Sequence, residues 1–76
     1  MEHLVEFIVK NIVTEKDAVE ITRVDNEDQV QINVKVSSND IGKIIGKNGK
    51  IAQAIRSIVK TASNGENKKY FVKIID

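Results

Sequence analysis

The chain has 76 residues, a net charge of +1, and 41% apolar and 30% charged side chains, which predicts one compact globular domain rather than a disordered or fibrous chain. It contains no cysteine, so neither a disulfide nor a thiolate zinc site can stabilise so small a fold. No run approaches the roughly 18 apolar residues of a membrane span, and Glu2 and Glu6 replace the basic start of a signal peptide, so we expect a cytoplasmic protein with no membrane contact.

The first predicted element is a helix over residues 2–13. Its apolar residues recur at intervals of three and four, the spacing of one buried helical stripe: Val5, Ile8, Val9 and Ile12. Phe7 falls on the polar side of this helix. We favour the interpretation that Phe7 folds over the rim of the core, since single exposed apolar residues are common, and the alternative is a contact with another protein.

Two strands follow, separated by a polar turn. Residues 18–24 predict a strand of mixed burial, and residues 25–28, which are all Asp, Asn or Glu, are typical of a hairpin turn. A calcium loop is the alternative, but the segment lacks the glycine and the distant Glu that such a loop needs. Residues 29–36 alternate apolar and polar side chains, so we expect a second strand with one buried face.

A pair of helices comes next. Ser37 predicts an N-cap, with Asp40 as a short-armed capping partner, and a short helix over residues 39–45 ends at Gly46. The second helix, residues 49–62, divides at about 100° per residue into a basic side and an apolar side. The members of the apolar side are Ile51, Ala54, Ile55, Ile58, Val59 and Ala62, with Ala52 at its margin.

The last predicted element is a strand over residues 69–75, with Tyr70, Val72 and Ile74 on one face. Whether Tyr70 and Phe71 pack on the core or lie near a groove stays open. The predicted element order is therefore αββααβ.

Charge is distributed unevenly along the chain. Residues 1–38 hold four Lys or Arg against eight Asp or Glu, whereas residues 39–76 hold eight against three. Five cations and no acid lie between positions 41 and 60, namely Lys43, Lys47, Lys50, Arg56 and Lys60. Such a patch attracts a polyanion even when the whole protein is nearly neutral.

The turn between the two helices carries the best candidate chemistry. Gly46 and Gly49 have no Cβ, so another backbone can lie against the turn, and the N–H groups that open the next helix form an anion site. Lys47 adds mobile positive charge, and the Asn48 amide can donate to a phosphate oxygen. The spacing of a P-loop is absent, as is any pairing of a nucleophile with a base, so we expect no enzyme. The other interpretation is a plain tight turn with solvated lysines.

The letters IIGKNGKI between two helices resemble the glycine signature of the K-homology (KH) RNA-binding domain, and the order αββααβ is similar to its type II, prokaryotic arrangement. The resemblance to small single-domain bacterial KH proteins covers the whole chain. It implies an α+β type II KH fold, with a three-stranded mixed sheet covered on one face by three helices. Residues 1–76 would form one domain, with a βααβ core at about 29–75 and a helix-and-strand extension at 1–28.

The resemblance also implies the site. KH domains grip the backbone of about four nucleotides of RNA at the glycine turn. The RNA-binding candidates are Ile41, Gly42, Lys43, Ile45, Gly46, Lys47, Asn48, Gly49, Lys50, Gln53 and Arg56, with Lys60 extending the basic field. Ile51 and Ala52 depart from the commonest family pattern, so base preference cannot be carried over.

Several alternatives concern the residues beside the turn. Ile41, Ile44, Ile45 and Ile55 are expected in the core rather than the groove, given how often isoleucine is buried. We favour helix packing over ligand contact for Gly42.

The implied partners are single-stranded RNA, a second copy of the chain, and a larger KhpB/Jag-like protein with KH and R3H domains. The implied role is that of an RNA chaperone or post-transcriptional regulator in pathways linked to cell shape. No cofactor, metal or small-molecule substrate is expected. The alternative function is a dimerisation or protein-interaction module whose RNA binding is secondary.

Overall fold

The computed structural model describes residues 1–75, which form an α+β fold in the predicted order. Its helices and strands are α1 (Glu2–Lys10), β1 (Glu20–Asp25), β2 (Gln29–Lys35), α2 (Ile41–Ile45), α3 (Lys50–Ala62) and β3 (Lys69–Ile75). Short 3-10 turns over Lys16–Ala18, Ser38–Asp40 and Lys47–Gly49 precede β1, α2 and α3.

The sheet is three-stranded and mixed, with β2 in the centre. β2 pairs antiparallel with β1 and parallel with β3, and Ile32 lies opposite Arg23 on one side and Val72 on the other. The apolar positions of β2 are fully buried, as its alternation predicted: Val30, Ile32 and Val34. They form one core with buried side chains of α1 and α3, so the helices cover one face of the sheet.

α1 is shorter than its sequence pattern predicted. The helix ends at Lys10, and the Asn11 side chain donates to the backbone oxygen of Phe7 at 2.7 Å, which satisfies one carbonyl of the last turn. Val13 is still buried, because a turn beyond the helix returns it to the core. Phe7 is 69% exposed, so the expectation that it folds over the core rim is wrong.

The turn before α2 is joined to the loop after α1 by a hydrogen-bonded clamp. The Ser37 hydroxyl accepts from the Asn39 N–H, as an N-cap does, but Asp40 does not complete a capping box. Its fully buried carboxylate instead accepts from the Thr14 N–H, the Thr14 hydroxyl and the Glu15 N–H at 2.8–3.0 Å. Glu15 in turn accepts from the Ser37 hydroxyl at 2.7 Å and from the Asn39 amide at 2.9 Å. The backbone N–H groups of Glu15 and Thr14 hold the pKa of Asp40 below its ordinary value.

α3 buries a narrower stripe than the sequence pattern predicted. Only Ala52, Ile55 and Val59 are buried along the helix. Ile51 is 37% exposed and Ile58 is 43% exposed, and Ala54 and Ala62 are also exposed. These four residues lie on one side of the buried stripe, so four of the seven residues of the predicted apolar side are exposed rather than in the core.

Candidate nucleic-acid interface

The turn between α2 and α3 is built from backbone conformations with positive φ. Gly46 has φ 75° and ψ 175°, a region reserved for glycine, and Gly49 has φ 76° and ψ 12°. Asn48 lies between them at φ 57°, which asparagine tolerates better than most residues. The Gly46 N–H donates to the Gly42 oxygen at 2.9 Å and closes α2. The predicted tight turn is therefore present and requires glycine.

The two glycines have different surroundings. A Cβ on Gly46 would lie 2.8 Å from the Ile51 Cβ and 2.9 Å from the Ile51 nitrogen, so this glycine lets the chain pack on itself. A Cβ on Gly49 would meet no atom within 4 Å. The expectation that another backbone could lie against both glycines is therefore wrong for Gly46, because its open side is occupied by Ile51. Gly49 alone presents an open face.

The turn also offers unused hydrogen-bond donors. Within residues 1–75, no protein oxygen accepts from the backbone N–H of Lys47 or Asn48. Both groups lie at the start of the turn that leads into the 13-residue helix α3, where the helix dipole favours negative charge. An anion held at this turn could accept from both N–H groups.

The cations around the turn are not neutralised by the protein. The six ion pairs found among residues 1–75 involve acids and bases of the first 35 residues, together with Lys68. None of them uses the basic residues between positions 41 and 60, which are all exposed: Lys43, Lys47, Lys50, Arg56 and Lys60. The positive charge of this surface is therefore available to a ligand.

Apolar surface flanks the turn on the α2 side. Ile44 is fully buried and Ile55 is 2% exposed, as expected, but Ile45 is 40% exposed and Ile41 is half-buried. Gly42 is exposed, and a Cβ there would meet nothing within 4 Å, so the favoured packing role of this glycine is wrong. Gly42 and Ile45 thus present an open aliphatic surface beside the turn.

The remaining candidates lie along α3. Gln53 is exposed one turn beyond Lys50, and Arg56 lies about 9 Å beyond Lys50 at the helical rise of 1.5 Å per residue. The Arg56 Nε donates to the backbone oxygen of Val72 at 3.3 Å, which ties this side chain to the β3 edge. Residues 41–50 therefore lie together at the turn, whereas Arg56 lies further along the groove between α3 and β3.

The structure separates the two aromatic residues of β3, which the sequence had left undecided. Tyr70 is half-buried, its hydroxyl donates to Glu66 at 2.8 Å, and its ring lies 5.8 Å from the Arg23 guanidinium. This hydrogen bond to Glu66 raises the pKa of Tyr70. Phe71 points the other way and is 48% exposed. The strand alternation, which sets Tyr70 with Val72, was the signal that could have predicted this difference.

Two further observations bear on function. In the described part of the chain, no group of three His, Asp or Glu side chains lies close enough to hold a metal ion. Asp25, in the turn considered for calcium, pairs instead with Arg23 at 3.1 Å and Lys68 at 3.8 Å. No helix of residues 1–75 is long and apolar enough to cross a bilayer.

Comparison with known proteins gives a consistent result. The family model described as "KhpA/KhpB, KH domain" matches residues 2–74. The RNA-binding protein KhpA of Clostridium perfringens is 47% identical over 75 residues, covering 99% of this chain and 100% of that protein. The RNA-binding proteins KhpA of Caldanaerobacter subterraneus and Clostridium acetobutylicum are 45% and 43% identical, with the same coverage. These relatives are named as RNA-binding proteins and not as enzymes.

Proposed function

The chain belongs to the KhpA/KhpB family of KH domains, and from this premise we propose that it acts as one non-enzymatic KH domain that binds short single-stranded RNA at residues 46–49. The observation that carries the proposal is the pair of unused N–H groups of Lys47 and Asn48, beside the open face of Gly49. Unpaired cations surround this point, so phosphate is the ligand that fits it best.

The proposed binding mode divides the RNA between two kinds of surface. One phosphate of the RNA accepts hydrogen bonds from the N–H groups of the turn. Lys47 and Lys50 neutralise the adjacent phosphates of the RNA backbone. The bases lie on the aliphatic surface of Ile41, Gly42 and Ile45, where unstacked bases lose contact with water. Lys43, Gln53 and Arg56 border this groove and supply charge or hydrogen bonds. About four nucleotides would be held, with modest sequence selectivity.

A double substitution tests this site. Lys47→Asp/Asn48→Asp adds carboxylates beside the proposed phosphate and should abolish RNA binding in a gel-shift assay, while circular dichroism shows a folded domain. Lys10→Asp/Asn26→Asp makes the same change in charge in the N-terminal half and should bind RNA nearly as the unmodified protein does. Unchanged affinity in a folded Lys47→Asp/Asn48→Asp protein would contradict the proposal.

A second function is favoured by the exposed side of α3. Ile51, Ala54, Ile58 and Ala62 form an uncharged strip, which we call the α3 strip, and the residues beside it include the small Ser57 and Thr61. We propose that two copies of the chain pair through this strip, because its apolar area would leave water and no like charges would face each other. The KH domain of a KhpB/Jag-like protein with an R3H domain is the proposed alternative occupant.

The dimer would present two RNA-binding turns to one RNA, which raises the effective concentration of the second turn after the first has bound. Such a protein suits a role as an RNA chaperone or post-transcriptional regulator, and we expect it to act in the cytoplasm. Sedimentation at tens of micromolar should give a dimer, Ile58→Asp should give a monomer, and Phe7→Asp should leave the dimer intact. A clean monomer for the unmodified protein would contradict self-association.

A further inference from the structure

A cleft of about 510 Å³ lies at the end of α3 that is remote from the glycine turn. Its walls are the C-terminal half of α3, the loop over residues 63–68 and the first half of β3. The predicted RNA-binding set reaches only its margin, at Arg56. Lys60, which was expected only to extend the basic field, also lines the cleft, and Lys69 and Phe71 lie outside the predicted set; all three are exposed.

The cleft is strongly basic. Arg56, Lys60, Lys68 and Lys69 line it against one carboxylate, that of Glu66. Glu66 accepts the Tyr70 hydroxyl, and Lys68 pairs with Asp25. Within residues 1–75, no ion pair involves Arg56, Lys60 or Lys69. Three cations are thus left to attract an anion.

Two features suit a nucleotide in particular. The Arg56 Nε donates to the Val72 oxygen at 3.3 Å, which orients the guanidinium toward the junction of α3 and β3, and its Nη groups donate to no protein oxygen within residues 1–75. A guanidinium with free donors recognises phosphate well. Phe71 also lines the cleft, at its β3 edge, and is 48% exposed, so an aromatic side chain is within reach of a base that leaves the cleft over this edge.

We propose that this cleft is a second nucleotide site, in which Arg56, Lys60 and Lys69 hold a phosphate and Phe71 contacts a base. The proposal rests on RNA binding at the turn and extends its path along α3. From Lys50 to Lys60 the helix rises about 15 Å, which is about four nucleotides at the stacked spacing of 3.4 Å. The bound RNA is therefore longer than the four nucleotides at the turn.

RNA fits the cleft better than an acidic peptide does, because the basic row is continuous. No acidic residue lies between positions 41 and 60, so the turn and the cleft share one positive surface along α3. Proteins that bind single-stranded nucleic acid also combine exposed aromatic side chains with neighbouring cations.

A length series of single-stranded RNA tests the proposal. Binding of 4-mers and 10-mers of uridine and of adenosine is measured by NMR titration at low salt in Ile58→Asp protein, where pairing through the α3 strip is prevented. A 10-mer offers seven registers to a four-nucleotide site, so its apparent affinity can exceed that of the 4-mer by up to about sevenfold without any added contact. We call this sevenfold gain in affinity the statistical value. The proposal predicts a gain of at least about 50-fold.

Variants of the cleft locate this gain. Lys60→Gln/Lys69→Gln should reduce it to the statistical value without changing 4-mer affinity, and should make the salt slope for the 10-mer shallower by up to about 0.7, the value for one phosphate contact. Phe71→Ser should weaken the 10-mer about tenfold. Lys10→Gln/Lys35→Gln removes the same charge elsewhere and should leave the gain intact.

Three results would overturn the proposal: a gain no larger than sevenfold, an equal loss for both RNA lengths in the cleft variant, or a glutamate decamer that binds the cleft as tightly as the 10-mer RNA. Failure of RNA binding at the turn gives a different result. In that case Lys47→Asp/Asn48→Asp would leave 4-mer affinity unchanged, whatever the length series shows.

Discussion

The glycine turn allows a sharp test, because its two glycines serve different purposes. Replacing Gly46 by alanine would place a methyl carbon 2.8 Å from the Ile51 Cβ and 2.9 Å from the Ile51 nitrogen. It would also force alanine into a φ and ψ combination that only glycine adopts readily. Replacing Gly49 by alanine meets open space and faces only the milder strain of the left-handed helical region.

The two costs can be worked out from these environments. Backbone strain of about 1–3 kcal/mol and overpacking of about 1–3 kcal/mol give about 2–6 kcal/mol for Gly46→Ala. Strain alone gives about 1–2 kcal/mol for Gly49→Ala. A domain of this size has a free energy of unfolding of roughly 4–11 kcal/mol, so Gly46→Ala removes a large part of it.

Thermal unfolding followed by circular dichroism measures the difference. At about 4–8 °C per kcal/mol, Gly46→Ala should lower Tm by at least about 8 °C and by clearly more than Gly49→Ala does. Truncating Ile51 to alanine removes its Cγ1, the atom nearest to the added methyl group, but should rescue Gly46→Ala only in part, because the Ile51 Cβ and backbone nitrogen stay in place. Gly49→Ala should still lose RNA affinity, since its methyl group occupies the open face. Equal Tm losses for the two variants would refute the reasoning from the Ile51 contact.

Other substitutions give further tests. Gly42→Ala should raise the free energy of unfolding by up to about 1 kcal/mol, since alanine favours a helix and nothing lies within 4 Å, and calorimetry showing destabilisation would contradict this. Ile44→Ala should cost about 2–5 kcal/mol because this residue is fully buried. The neighbouring Ile45→Ala should lower the free energy of unfolding by less than about 1 kcal/mol and yet weaken RNA binding. Denaturant titrations and gel shifts measure the two effects, and a large stability loss in Ile45→Ala with unchanged RNA affinity would contradict the prediction. The lowered pKa of Asp40 means that its carboxylate stabilises the fold at neutral pH and loses this effect as pH falls below its ordinary value of 3.8. Asp40→Asn should therefore be less stable at pH 7 and lose less stability on acidification, and a parallel pH profile for both proteins would count against the clamp.

The sequence was sufficient to predict the element order and the turn. Period-two alternation in β2 and the paired glycines are local signals, and both depend on backbone geometry that neighbours hardly change. The predicted strand over residues 69–75 agrees with β3 for the same reason.

Long-range packing limited the other predictions. A helical wheel shows which residues of α3 are apolar, but the position of the sheet decides which of them are covered, so Ile51 and Ile58 were wrongly expected in the core. Asp40 resembled a local cap, yet its partners Thr14 and Glu15 are 25 or more positions away in the chain. Such a contact leaves no periodic signal in the sequence.

The central claim is that RNA is held at residues 46–49, and an NMR titration with a short single-stranded RNA tests it most directly. The amide signals of Lys47, Asn48 and Gly49 should shift first and furthest, and the shifts should weaken steeply as salt is raised. Shifts confined to the open face of the sheet, around Gln31 and Asn33, or no shifts at low salt, would contradict the account.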